Sequence, residues 1–202
     1  LCVVISPDGK RLVSGGADQS IRCWDMATGK EVWKISQWNM SLAFSHDGRF
    51  LAFPHESKIH LVDAATGKLV EEKPLREDPY YLLAFGPQGD TFAVAIHSDV
   101  TLNTVVCERA TGKERFRIPA YRIRFSPDGK KLAGFQGCAL QCWDLGTGKP
   151  LYPDTARMGH TQPPTAIAYS LDGKLFASAS GYDCTVRLWD CLLYTSDAAD
   201  DL

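Results

Sequence analysis

Several things are missing from this sequence, and each absence removes a class of function. No run of about eighteen apolar residues occurs, so no segment is long and apolar enough to cross a bilayer as a helix, and no membrane partner is expected. Neither charge dominates, because 22 Lys and Arg face 24 Asp and Glu for a net charge of −2. A nucleic-acid binder ordinarily carries a basic stripe, so no nucleic acid is expected either. Catalytic spellings are missing too: there is no GxSxG, no Walker loop, no GxGxxG after a strand and no HExxH. His46, His55, His60, His97 and His160 form no closely spaced ligand set. His55 and His60 are five apart, which on one continuous strand puts them on opposite faces. The seven cysteines (Cys2, Cys23, Cys107, Cys138, Cys142, Cys184, Cys191) are odd in number and scattered, which reads as strand thiols rather than a disulfide framework. Cys138 and Cys142 lack the second ligand pair that a zinc site needs. The acid pairs Glu71-Glu72 and Glu77-Asp78 lie in a proline-flanked stretch and are expected to be solvated. No catalytic residue, cofactor-binding residue or metal ligand is therefore expected.

What the chain has is repetition. A four-residue turn recurs as SPDG at Ser6–Gly9, SHDG at Ser45–Gly48, GPQG at Gly86–Gly89, SPDG at Ser126–Gly129 and SLDG at Ser170–Gly173, in steps of 39, 41, 40 and 44 residues. A second marker follows the first four: WDMATGK from Trp24, VDAATGK from Val62, CERATGK from Cys107 and WDLGTGK from Trp143. Its acid always precedes the TGK glycine by four residues, as in Asp25 to Gly29, Asp63 to Gly67 and Asp144 to Gly148. Two markers held in phase over such a length identify repeat units.

Each repeat reads as four short strands. An apolar strand leads into the SPDG turn, where proline presets φ and glycine takes the positive-φ position. The second strand follows, as in KRLVS from Lys10, and a polar turn leads to a third with clear alternation, such as SIRCWD from Ser20 or TVRLWD from Thr185. The ATGK turn opens a fourth, such as EVWKI from Glu31. The residues before the turns, Ile5, Phe44, Phe85, Phe125 and Tyr169, make a column of large apolar groups suited to packing between repeats. Units of about forty residues built from hairpins predict an all-β chain: a partial, open-arc β-propeller of about five four-stranded antiparallel blades. The blades are expected near 1–36, 37–73, 80–118, 120–153 and 160–190.

The SPDG turn followed by a strand ending in Trp-Asp resembles the WD-repeat propellers, and the likeness runs over residues 1–190. The last repeat is the closest, with Gly159-His160 ahead of LDGKLFASASGYDCTVRLWD. In that family such a histidine joins a buried structural tetrad, which the resemblance places on His160, Ser178 (with Ser180 as the alternative), Asp183 and Trp189. Gly181 adds a residue between the serine and the turn. The blade markers are Trp24, Asp25, Asp63, Trp143, Asp144 and Asp190. The other repeats are degenerate: the first keeps Asp18 and Trp24, the second has Glu56 and Val62 at the Asp and Trp positions, and the fourth has Gly137 in place of the acid. One complete tetrad is expected.

After Asp190 the pattern stops at CLLYTSDAADDL, residues 191–202. This string resembles the translation of a transposase sequencing adapter, TGT CTC TTA TAC ACA TCT GAC GCT GCC GAC, and is expected to be a non-native tail. The chain also starts at Leu1 inside an apolar stretch, without Met or signal peptide, so a fragment is expected, cut at both ends. The resemblance implies a non-enzymatic scaffold for protein–protein interaction. Its partners would be an unidentified protein or peptide and the missing blades of its own chain. The SPDGK and ATGK spelling resembles bacterial WD-repeat proteins, which often carry further domains, and a cytoplasmic location is favoured. The longest connection, Tyr152–Pro164, is a candidate binding loop. The alternative is a fragment of a pyrroloquinoline-quinone-type propeller oxidoreductase, because DMATGKEVW from Asp25 resembles the blade-docking motif of those enzymes. Its aromatic position recurs as Phe116 and Tyr152, with Glu71 in the second repeat.

Overall fold

The computed structural model describes residues 2–37, 39, 41–75, 79–97, 102–151 and 159–190. The chain divides into two compact units, Leu1–Arg117 and Ile118–Leu202. The first holds three blades. Blade one is β1 (Cys2–Ile5), β2 (Arg11–Gly16), β3 (Ser20–Asp25) and β4 (Glu31–Ile35). Blade two is β5 (Ala43–Phe44), β6 (Phe50–His55), β7 (Lys58–Asp63) and β8 (Leu69–Pro74), and blade three is β9 (Pro79–Phe85), β10 (Thr91–His97), β11 (Leu102–Glu108) and β12 (Glu114–Ile118). The second unit holds blade four, β13 (Tyr121–Phe125), β14 (Lys131–Gln136) and β15 (Ala139–Asp144), and blade five, β16 (Ala166–Tyr169), β17 (Leu175–Ser180) and β18 (Thr185–Asp190). In every sheet the strands pair antiparallel in chain order.

The recurring turns explain why these strands begin and end where they do. In the first, Ser6 Oγ donates to Asp8 Oδ1 at 2.6 Å and accepts from the Arg11 amide at 2.9 Å, while the Gly9 amide bonds the Ser6 carbonyl. Gly9 takes φ +71°, a conformation that a side chain makes costly. Ser45–Asp47, Ser126–Asp128 and Ser170–Asp172 repeat the serine-to-aspartate bond at 2.6 Å. The third repeat solves the same corner differently: Gly86 replaces serine, and a Cβ there would come within 2.3 Å of Thr91 Oγ1. The threonine hydroxyl occupies the space that the serine side chain needs elsewhere.

Alternation along β2, β3, β6 and β7 puts alternate side chains on the two faces of each sheet. Val13, Ile21 and Cys23 of blade one therefore meet Leu51, Phe53 and Val62 of blade two. The opposite face of blade two, Ala52, Ile59 and Leu61, meets Phe92, Val94, Ile96, Val105 and Cys107 of blade three. In the second unit Ala133 and Phe135 pack against Ile167, Phe176 and Trp189. Burial of one such large side chain contributes about 1.5–3 kcal/mol, so the blades are held by what lies between them.

Blades four and five show three strands each among the described residues, and the positions where a fourth would follow lie outside them. In blade four the chain after the turn begins such a pairing, with a bridge between Trp143 and Pro150 and a bond from the Leu151 amide to the Cys142 carbonyl. Phe44, Phe85 and Tyr169 of the expected column are partly buried against the cores, and Ile5, at the same position opposite Leu12, is 55% exposed on the face of blade one that no described blade covers. Residues 152–158 of the longest connection and the whole tail 191–202 lie outside the described residues.

Candidate functional site

The marker acids hold the turns between third and fourth strands. Asp25 Oδ1 accepts from the Thr28 amide and from Thr28 Oγ1, both at 2.8 Å, and the Gly29 amide bonds the Asp25 carbonyl at 2.8 Å. Asp63 does the same with Thr66, and Asp144 with Thr147. The threonine hydroxyls lead the groups that hold these three carboxyls below the usual range for aspartate. Asp190 ends β18 opposite Leu175. Trp143 is buried opposite Leu132, and Trp24 Nε1 donates to Ser14 Oγ at 3.0 Å.

In blade five the structure brings His160, Ser178, Asp183 and Trp189 together. The Nδ1 of His160 lies 2.9 Å from Asp183 Oδ2, its Nε2 lies 2.8 Å from Ser178 Oγ, and Trp189 Nε1 donates to the same Ser178 oxygen at 2.8 Å. The histidine side chain is fully covered and the aspartate side chain is 7% exposed. Burial works against ionisation of Asp183, yet bonds from the Thr185 hydroxyl, His160 and the Thr185 amide outweigh it and bring the carboxyl to about 2. Ser180 stands elsewhere, donating to the Pro163 carbonyl at 3.1 Å.

Two members of this network were not among the expected residues. Thr185 Oγ1 donates to Asp183 Oδ1 at 2.7 Å, and the signal for it was the Asp-x-Thr spacing at the head of the third strand. Gly159 passes so close to the preceding blade that a Cβ would lie 2.1 Å from the Cys138 carbonyl oxygen. The His160 amide donates to that carbonyl at 3.0 Å, and Arg187 reaches the Gly159 carbonyl at 2.6 Å. Glycine before histidine is thus required by the close approach of two backbones.

Blade one carries a related set. Ser20 Oγ donates to Asp18 Oδ2 at 2.7 Å, and Arg22 bridges Asp18 at 3.3 Å and Glu31 at 2.8 Å. A shallow cavity of about 290 Å³ is lined by Ser14, Gly15, Gly16, Ala17, Asp18, Ser20 and Arg22.

In blade two Glu56 sits at φ +49° within the reversal between His55 and Lys58, a tight hairpin with no room for a buried acid at this place. That hairpin also overturns the reading of His55 and His60 as opposite-faced. Because His55 pairs with Lys58, His60 is its diagonal neighbour on the same face, and the rings meet edge-on with centroids 5.2 Å apart. Glu72 completes the group, 3.4 Å from His60 and 2.7 Å from Lys58. Burial lowers the pKa of His60 and keeps the imidazole neutral at neutral pH. The six described cysteines are free thiols, and burial pushes that of Cys107 up to about 12, so it is no nucleophile.

The outer strands meet the following blade at its marker turn. Trp33 Nε1 donates to the Ala64 carbonyl at 3.0 Å, and its ring lies so close to Gly67 that a Cβ there would come within 2.7 Å. One blade further on, Lys73 covers Gly112 with its aliphatic stem and donates from Nζ to the Ala110 carbonyl at 2.6 Å and to Glu71 at 2.5 Å.

Comparison with known proteins agrees with this architecture. The family described as WD domain, G-beta repeat matches residues 1–25 and 153–190. The human angio-associated migratory cell protein is 27% identical over 204 aligned residues, covering 93% of this chain and 44% of the relative. Among solved structures, the Cps50 (Swd1) β-propeller domain of Myceliophteria thermophila superposes with a TM-score of 0.73 at 22% identity, over 94% of this chain and 64% of that one. Hydrazine synthase of Kuenenia stuttgartiensis gives 0.72 at 20% identity, over 87% and 54%. At these identities the two structures speak for the fold alone. The chain spans under half the length of the human relative.

Proposed function

Because the chain belongs to the WD-repeat β-propeller family, we propose that it is a non-enzymatic platform for protein–protein interaction. The observation that carries this reading is the use made of the recurring polar side chains. Asp8, Asp25, Asp47, Asp63, Asp128, Asp144, Asp172 and Asp183 each accept from a hydroxyl of their own repeat. Groups engaged in this way build turns. Exposed loops on a rigid scaffold are where recognition is placed. In the same reading His160, Ser178, Asp183 and Trp189 are structural, a satisfied buried network that fixes blade five.

The same proposal takes the chain as part of a longer bacterial multi-domain protein in the cytoplasm, with further blades of its own as its nearest partners. A second reading, a segment of a pyrroloquinoline-quinone-type oxidoreductase, is favoured by one observation, the stacking of Trp33 over Gly67 in the manner of a blade-docking motif. The experiment is chemical cross-linking of the tagged full-length protein in its native cell, followed by reconstitution with the recovered protein. A stoichiometric complex by light scattering is expected. Quinone-dependent oxidation of an alcohol by the purified full-length protein would overturn the scaffold reading in favour of the second.

A further inference from the structure

The two junctions of the first unit close over equivalent turns, yet the second leaves an opening. A cleft of about 560 Å³ runs beside the turn at Thr111 and Gly112, between the end of β8 and the β10–β12 sheet. Pairing of the strands explains it. Trp33 lies opposite Cys23, and the residue at the same position of blade two, opposite Leu61, is Glu71. A bulky ring on one junction is replaced by an acid that turns to Lys73, so less side-chain volume is placed against the next blade.

The lining has two chemistries. The apolar side is the partly buried Leu75 with Pro74, set over Val94, Ile96, Val105 and Cys107, which are themselves buried in the core. The rim carries Lys113, Arg115 and Arg117 against a single acid, Glu114, which is already paired with Arg117 at 3.1 Å. Among the described residues neither Lys113 nor Arg115 has an ion-pair partner, and both side chains are exposed. An apolar side next to an unbalanced cationic rim complements one kind of ligand.

We propose that this cleft is a docking site for an acidic–apolar segment of a partner protein. An apolar side chain of the segment would pack on Leu75 and Pro74, and carboxylates flanking it would meet Lys113 and Arg115. The proposal rests on the scaffold reading and adds to it the place and the chemistry of recognition. Apolar anchoring supplies affinity in such a site, and the charges supply selectivity and speed of encounter.

The test uses the full 202-residue chain and fluorescence anisotropy with three short fluorescein-labelled peptides. All share a central Leu-Phe pair, flanked by aspartates, by lysines or by serines. The aspartate peptide is expected to bind saturably, and more weakly as salt is raised. The double variant K113E/R115E should weaken it roughly tenfold or more, because attraction becomes repulsion. Leu75→Trp, which fills the cleft without changing charge, should weaken it as well, and Lys34→Glu on exposed β4 should not. Circular dichroism and a thermal scan establish that each variant is folded, and the salt dependence of the unmodified chain stands without any variant. Preference for the lysine peptide, or aspartate-peptide binding that survives both K113E/R115E and Leu75→Trp, would overturn the cleft and leave the scaffold reading standing. No binding of the aspartate peptide would overturn it too, while the scaffold reading is judged separately by its stoichiometric complex.

Discussion

Between the first and second blades, the turn ending at Gly67 lies under the indole of Trp33; between the second and third, the turn ending at Gly112 lies under the stem of Lys73. The two turns share their hydrogen bonds, with a threonine hydroxyl on the preceding acid and a glycine near φ +71°. What covers them differs. Trp33 contributes a large apolar surface and one bond, to the Ala64 carbonyl, whereas Lys73 contributes a thinner stem, a bond one residue later at Ala110, and an ion pair with Glu71. The repeat therefore dictates the turn and leaves its cover free to change. Where the cover shrinks, a cleft opens.

The largest expected effect is at the tryptophan. Trp33→Ala should cost about 3–5 kcal/mol in denaturant unfolding, through lost burial and the cavity left over Gly67. A change under about 1 kcal/mol would mean that the first junction depends on its ring no more than the second does. Next come the two glycines. Both need positive φ, so alanine destabilises each, but at Gly67 the new methyl meets a ring and at Gly112 a flexible stem. Gly67→Ala should therefore lower the unfolding midpoint clearly more than Gly112→Ala, and equal shifts would remove the steric difference between the junctions.

The polar network of blade five gives the same comparison a third term. Ser178→Ala leaves Trp189 Nε1 and His160 Nε2 without their buried partner and should cost on the order of 1–3 kcal/mol. Ser14→Ala in blade one removes only the Trp24 bond at a half-buried site and should cost less. Lys73→Met keeps the stem and loses both the Ala110 bond and the Glu71 ion pair, an expected loss of about 0.5–1.5 kcal/mol. The smallest effects per group are those of pH. Asp25, Asp63 and Asp144 have folded values below the unfolded aspartate value, so their contribution is complete above it and is lost as pH falls through the folded values. Asp183, at about 2, is the last to go. The midpoint of thermal unfolding should fall as pH drops from about 4 to about 2, and fall less in a variant with Asp63→Asn.

Much of this was legible in the residues themselves. Pro-Asp-Gly and Ala-Thr-Gly-Lys announce turns whose chemistry is local, within six residues, and the turns carry the strands between them. The grouping of His160, Asp183 and Trp189 came from a resemblance, and geometry added Thr185 and the reason for Gly159. What failed depended on pairing. His55 and His60 were assigned opposite faces by counting along a strand, but the reversal at Glu56 folds the count back on itself.

The sequence alone determined the number of blades, their phase and their turns, because each of those is decided by hydrogen bonds and φ values among residues close in the chain. Only the tertiary structure decided which groups meet across blades: Trp33 on Gly67, Lys73 on Gly112, His160 against the Cys138 carbonyl, and the cleft under Lys113 and Arg115. Those contacts join residues some twenty to forty positions apart, where spacing in the chain carries no information and only the close packing of one sheet on the next sets who touches whom.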